Sequence, residues 1–236
     1  MDPKKLFIDP AIRLILWEME HKVKAENHFY DGLFYRRFID PALANIRKRV
    51  ADLVPKGSRV IDIGCGTGDQ ILFLADRIEA GVCVELSERM HGVAKDRARE
   101  AGMSNCEFLL ADAADLSGFE DSNFDVAMSS MVIHEMPEEK RIPVLAEMKR
   151  LGKKIILVDW VCPQDQRLKA IGTHIIEFMA GWQHYSGYRS FMRNGGIPVL
   201  LSQLDLKVIE TQTTSKGTIQ LWLCGEKPGN NSQALT

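Results

Sequence analysis

Val60-Ile-Asp-Ile-Gly-Cys-Gly-Thr-Gly-Asp-Gln70 is an apolar run carrying one acidic residue that breaks into three alternating glycines. The run has the composition of a buried strand. Glycine at Gly64, Gly66 and Gly68 lets the backbone turn sharply and come close to a bound small molecule, an approach that a β-carbon would prevent. The spacing narrows the ligand. A dinucleotide fold wants the third glycine of G-x-G-x-x-G where this chain has Asp69, and would seat a pyrophosphate on the helix N-terminus that follows; Asp69 brings a negative charge there instead. A P-loop ends in Gly-Lys-Ser/Thr, whereas Gly68 is followed by Asp-Gln-Ile. Phosphate is disfavoured on both counts, and Asp62 suits a cationic ligand.

Outward from this loop, short apolar runs alternate with helical patterns from Ser58 to Asp159. The order is strand, Gln70 to Ile78, strand, Ser87 to Ala101, strand, loop, strand, Glu138 to Leu151, strand. Such alternation predicts a parallel sheet with helices on both faces. The mostly unbroken apolar character of Lys153-Lys-Ile-Ile-Leu-Val-Asp159 fits a strand covered on both sides. Leu206 to Thr214 and Thr218 to Glu226, separated by Ser-Lys-Gly, predict a terminal antiparallel hairpin. Ligands of open α/β sheets lie beyond the carboxyl ends of the strands, where Gly64, Glu85, Asp112 and Ser129 all fall. Glu85 ends the second strand run about 20 residues past the glycines, a position from which a carboxylate accepts hydrogen bonds from two ribose hydroxyls.

Asp62-x-Gly64-x-Gly66-x-Gly68 resembles motif I of the class I S-adenosylmethionine-dependent methyltransferases. The resemblance extends to Glu85, to Asp112-Ala113 at the family's adenine-contacting position, and to Asn123-Phe-Asp-Val-Ala-Met-Ser-Ser-Met-Val-Ile-His134. In the last segment a small-residue turn containing Ser129, Ser130 and Met131 faces the sulfonium. It covers Ser58 to Glu226 and is nearest to the small stand-alone branch (methyltransferase type 11) that includes quinone-biosynthesis C-methyltransferases. It implies a Rossmann-like seven-stranded sheet, five parallel strands plus the C-terminal hairpin, beneath an N-terminal helical cap. It also implies S-adenosylmethionine bound by Asp62, Gly64, Cys65, Gly66, Gly68, Glu85, Leu86, Asp112, Ala113, Ser129 and Ser130, with S-adenosylhomocysteine as product. The expected organisation is a cap over residues 1–55, a methyltransferase domain over 56–226 with an insertion at 162–196, and a flexible tail over 227–236.

The chain has 236 residues, 45% of them hydrophobic, and a net charge of −2, consistent with one substantial core and without the broad basic face of a nucleic-acid binder. The five cysteines show no C-x-x-C spacing, so neither zinc nor a disulfide framework is expected and no metal ligand is assigned. No stretch has the length and apolarity of a signal peptide or membrane span, so a cytoplasmic location without stable membrane insertion is expected. Oligomeric state is not specified.

Methyl transfer from a sulfonium needs positioning more than covalent chemistry, with a base for acceptors that must lose a proton. His134 and Glu135, just past the fourth strand, are the base candidates; the competing reading has His134 ordering the turn by hydrogen bonds to backbone. The aromatic segment His28 to Tyr35 supplies Tyr30 and Tyr35 as lid candidates, against a simple apolar seam. Within the insertion, Ile171, Ile175, Phe178 and Trp182 recur at helical spacing and read as buried structure, leaving His184, Tyr185 and Arg189 for the acceptor. Motifs for methylating bases or glutamine are absent, which points to a small or lipid-like acceptor, possible quinones included. The rival readings are an S-adenosylmethionine-binding protein without turnover and an NAD-dependent oxidoreductase, the latter opposed by Asp69 and the hairpin.

Overall fold

The computed structural model describes residues 40–162, 174, 177, 182–213 and 217–225. Tyr30, Tyr35, Ile171, Ile175, Phe178 and the tail lie outside them. Seven strands form one sheet: β1 (Arg59–Ile63), β2 (Ala80–Glu85), β3 (Cys106–Leu110), β4 (Phe124–Ser130), β5 (Gly152–Trp160), β6 (Val208–Thr213) and β7 (Ile219–Gly225). Their spatial order is β3-β2-β1-β4-β5-β7-β6. The first five are parallel, and β7 runs antiparallel to both β5 and β6, as the hairpin signal predicts. The β-branched run sets this up: Val60, Ile61 and Ile63 are fully buried, since β1 lies between β2 and β4 with helices over both faces.

Six helices complete the described chain: α1 (Asp40–Leu53), α2 (Asp69–Leu74), α3 (Glu88–Glu100), α4 (Glu138–Leu151), α5 (Trp182–Arg193) and α6 (Gly196–Gln203). The α3 helix is started by Ser87, whose hydroxyl accepts from the Met90 N–H, with Glu88 in the first turn and Arg97 and Arg99 in the last, each sign matching the helix dipole. Val144, Leu145, Met148 and Leu151 of α4 are buried against the sheet. Strand order reverses between β1 and β4, and the crevice at such a reversal is where α/β sheets take ligands.

The insertion departs from its predicted packing. Trp182, expected in a buried stripe, is 71% exposed at the start of α5, while Tyr188 and Phe191 are the side chains that enter the core. Helical spacing indicates that one face is apolar; a helix's first turn often projects beyond the surface it covers, and Trp182 sits in that turn.

Candidate active site

The glycine loop hangs on β2, with the Gly64 and Cys65 N–H groups both donating to the Val84 carbonyl, at 2.8 and 3.1 Å. Its three glycines serve different ends. A β-carbon on Gly64 would lie 2.5 Å from the Val132 side chain, and one on Gly68 would press on Ala94 and Phe108, so these two allow protein to pack on protein. Gly66 has a φ of 55° and nothing within 4 Å of where its β-carbon would stand, so here alone the loop faces open space. The Gly66 N–H donates to Glu85 Oε2 at 2.8 Å, while Glu85 Oε1 accepts from the Leu86 and Ser87 N–H groups at 2.9 and 2.8 Å. Of the four acceptor sites of the carboxylate three are used, and one remains, on Oε2.

Asp62, at the end of β1, is 2% exposed, and its Oδ2 has no hydrogen-bond partner. Burial, reinforced by the nearby Glu85 charge, pushes its carboxyl up to about 8. A buried carboxyl with an unmatched oxygen is stabilised by whatever brings a positive charge to it. Asp69, which replaces the dinucleotide glycine, is bound by Thr67 Oγ1 and Arg97 and so is committed to the loop's own structure.

At the other strand ends, Asp112 accepts the Ala114 N–H and pairs with Lys140 at 2.7 Å on the surface. The Ser129 hydroxyl turns inward to the Ile63 carbonyl at 2.9 Å, tying β4 to β1 rather than reaching the crevice. Ser130 is half-buried beside it, and Met131, a non-glycine residue at φ 60°, makes the turn that carries the chain out of β4.

That turn delivers His134 to a buried cluster of charge. His134 is 1% exposed, and its Nδ1 lies 2.7 Å from Asp159 Oδ1 at the end of β5. Its Nε2 lies 3.5 Å from Glu177 and 3.8 Å from Glu135. His184 meets the same carboxylates, with Nε2 2.7 Å from Glu177 and Nδ1 3.4 Å from Glu135. Trp160 Nε1–H donates to Glu177 Oε1 at 2.8 Å. Burial opposes a charged His134, but Asp159 and then Glu177 outweigh it and hold the imidazole protonated far above its ordinary range. Burial likewise opposes a charged Glu177, yet His134 and His184 bring it down to about 2. Glu135, although 37% of its side chain is exposed, is pushed up to about 7 by its close surroundings against the pull of His184 and His134.

A buried arginine fixes the cluster's far wall. Arg141 Nη2 donates to the Gly187 carbonyl at 2.7 Å, to Ser190 Oγ at 2.6 Å and to the Met136 carbonyl at 3.0 Å, joining α4, α5 and the turn after β4. At Gly187 a β-carbon would stand 2.4 Å from the Glu135 carbonyl oxygen, so only glycine lets α5 come this close. Of the residues expected to face an acceptor, His184 is sealed in the cluster. Tyr185 is half-buried, its hydroxyl 3.4 Å from His174 Nδ1, and Arg189 is exposed above the Tyr185 ring.

The methyltransferase-domain family profile matches residues 60–154, from β1 into β5. The methyltransferase GfsG of Streptomyces halstedii is 27% identical over 202 residues, 80% of this chain and 71% of that protein. The 27-O-demethylrifamycin SV methyltransferase of Amycolatopsis mediterranei is 26% identical over 172 residues, 67% of this chain and 61% of its own length. In three dimensions, an S-adenosylmethionine-dependent methyltransferase from Aquifex aeolicus superposes with a TM-score of 0.61 at 16% identity, over 83% of this chain and 98% of that one. Residues 60–154 thus match a methyltransferase domain, and the chain has the fold of solved S-adenosylmethionine-dependent methyltransferases.

The site residues fit S-adenosylmethionine in kind: a buried carboxyl with an unmatched oxygen for a cationic amine, a carboxylate with a free acceptor site for a hydroxyl, and open space at Gly66 for close approach. The thiols offer no rival chemistry, since burial pushes Cys106 up to about 12 and Cys83 well above the ordinary range. Asp159, Glu177, Arg141 and Gly187 went unread in the sequence. The one available signal was Asp159, a carboxylate at the end of an otherwise apolar strand run. No helix among the described residues is long and apolar enough to cross a membrane.

Proposed function

We propose that this chain transfers a methyl group from S-adenosylmethionine to a small, largely apolar acceptor held beside the turn after β4, on the side where Glu135 reaches solvent. The observation that carries the reading is Asp62, a buried carboxylate with an unmatched oxygen on the strand that feeds the glycine loop, where a cationic amino group would relieve its isolation. Bound S-adenosylmethionine would supply a methyl group already made electrophilic by the sulfonium. Glu85 would accept a ribose hydroxyl through the Oε2 site that the Leu86, Ser87 and Gly66 amides leave, a second hydroxyl displacing the Gly66 amide, and Gly66 would let the loop lie against the ligand. Asp112, Ala113 and Ser130 would complete the strand-end rim, with Ser129 holding β4 to β1 beneath it.

For the acceptor's proton, Glu135 is the candidate with an exposed face, 37% of its side chain reaching solvent. His134 has both ring nitrogens turned to carboxylates, which suits positioning: it orients Glu135 and anchors the turn to β5. The family relatives act on small molecules where their names say so, the rifamycin enzyme among them. Calorimetric titration with S-adenosylmethionine, S-adenosylhomocysteine and NAD in parallel tests the cofactor. Binding of the first two in the micromolar range without NAD is the expected result, whereas NAD binding alone would make the loop a dinucleotide site and overturn the reading.

A further inference from the structure

We propose that His134, His184 and Glu177 form a binding site for a divalent transition-metal ion, with Glu135 at its open side. One imidazole nitrogen from each histidine and a Glu177 oxygen lie within 4.8 Å of one another. Metal bonds to histidine and carboxylate are about 2.0–2.2 Å long, which separates neighbouring ligand atoms by roughly 3.4 Å in a tetrahedral set. His134 Nε2 stands 3.5 Å from Glu177 Oε1 and His184 Nε2 stands 2.7 Å from Glu177 Oε2, so the two histidines meet the two oxygens of one carboxylate, and an ion between them requires a small shift of the Glu177 carboxylate.

The surroundings match a metal centre's outer layer. Asp159 takes the Nδ1 side of His134 and leaves Nε2 to point at Glu177, the carboxylate–histidine arrangement that fixes the tautomer of a ligating imidazole. Trp160 Nε1–H holds the Glu177 carboxylate, and the Arg141 bonds to α5 and the Met136 carbonyl hold the two halves of the site together. Charge points the same way. Three carboxylates, Asp159, Glu177 and Glu135, face two imidazoles whose ring centroids are 5.6 Å apart. A dication placed among these side chains meets carboxylate oxygens and imidazole nitrogens only, the donor types such an ion takes. Two nitrogens and one carboxylate select zinc, iron(II), cobalt(II) or manganese(II) rather than magnesium or calcium, which prefer all-oxygen sites.

The test uses the full chain without S-adenosylmethionine, so its result is independent of the cofactor reading. Protein stripped with a chelator is titrated with cobalt(II), followed by visible absorption, and then with competing zinc. The expected result is one equivalent per chain, weakened at least about a hundredfold by Glu177→Gln or His184→Ala, and about 10–100-fold by Asp159→Asn acting through His134. His174→Ala serves as the control and keeps wild-type affinity. Absence of stoichiometric uptake by the wild-type chain, or unchanged uptake in both Glu177→Gln and His184→Ala, overturns the proposal. Should either variant fail to fold, imidazole nitrogen-15 shifts of wild-type protein decide: zinc must move those of His134 and His184, and unmoved signals overturn it.

Discussion

The glycine loop and the cluster behind the fourth strand sit at one end of the same sheet yet are built in opposite ways. The loop is assembled from neighbours in sequence, is held mostly by backbone amides, and leaves one carboxylate, Asp62, without a partner. The cluster gathers His134, Asp159, Glu177 and His184 from across 50 residues, buries the first three, and sets each carboxylate against an imidazole. A site with an unmatched charge is waiting for a ligand of fixed chemistry. One built from side chains that already pair with each other is in place before the cofactor binds, and it can be specialised without disturbing the first.

That division is open to breakage. The largest expected effect comes from Arg141→Ala, which leaves buried carbonyls unmatched and frees α5. Stability to urea should fall by about 3 kcal/mol, while S-adenosylmethionine affinity, measured on the folded fraction by calorimetry, stays within a few-fold of wild type. A matching loss of affinity would show that the two halves are one unit. Gly66→Val is the converse experiment, filling the loop's one open glycine position: affinity should drop about a hundredfold, or about 2.7 kcal/mol, while stability to urea falls only by the roughly 1–2 kcal/mol that a β-carbon at φ 55° costs. Retained affinity would remove the loop from the site.

The smallest effect is a matter of pH. Because the Asp62 carboxyl is raised from 3.8 to about 8, the folded chain keeps a proton that the unfolded chain releases across that interval, so this group lowers stability as pH rises until about 8. Asp62→Asn removes the titration. Urea midpoints of the ligand-free proteins at pH 6 and pH 9 should therefore show the variant gaining on wild type as pH rises. An equal difference at the two pH values would mean that Asp62 already has its charge satisfied.

The sheet was legible because buried parallel strands, glycine turns and hairpins leave local marks, and the element order and the antiparallel end both follow from them. The strand-end positions were legible for the same reason: a residue at the end of an apolar run has its place set by that run. The cluster was not. His134 and His184 could be picked out by residue type, but nothing local says that Glu177 and Asp159 meet them, since those contacts depend on how α5 crosses the turn after β4. Helical spacing also misled at Trp182, where periodicity gives a face but not where the covering surface ends.

The pairing of β1 with β4 has a consequence for how the chain is made. Asp62 lies beside Met128, the Ser129 hydroxyl closes on Ile63 across 66 residues, and Val132 backs the glycine loop. As the chain leaves the ribosome, β1, β2 and β3 emerge with their open side unfilled, and the crevice acquires its second wall only when β4 arrives. Contacts this distant in sequence form late and slowly. The cofactor pocket is thus a product of the finished half-sheet rather than of the motif that advertises it, and a nascent chain ending before β4 carries the glycine signature without the means to use it.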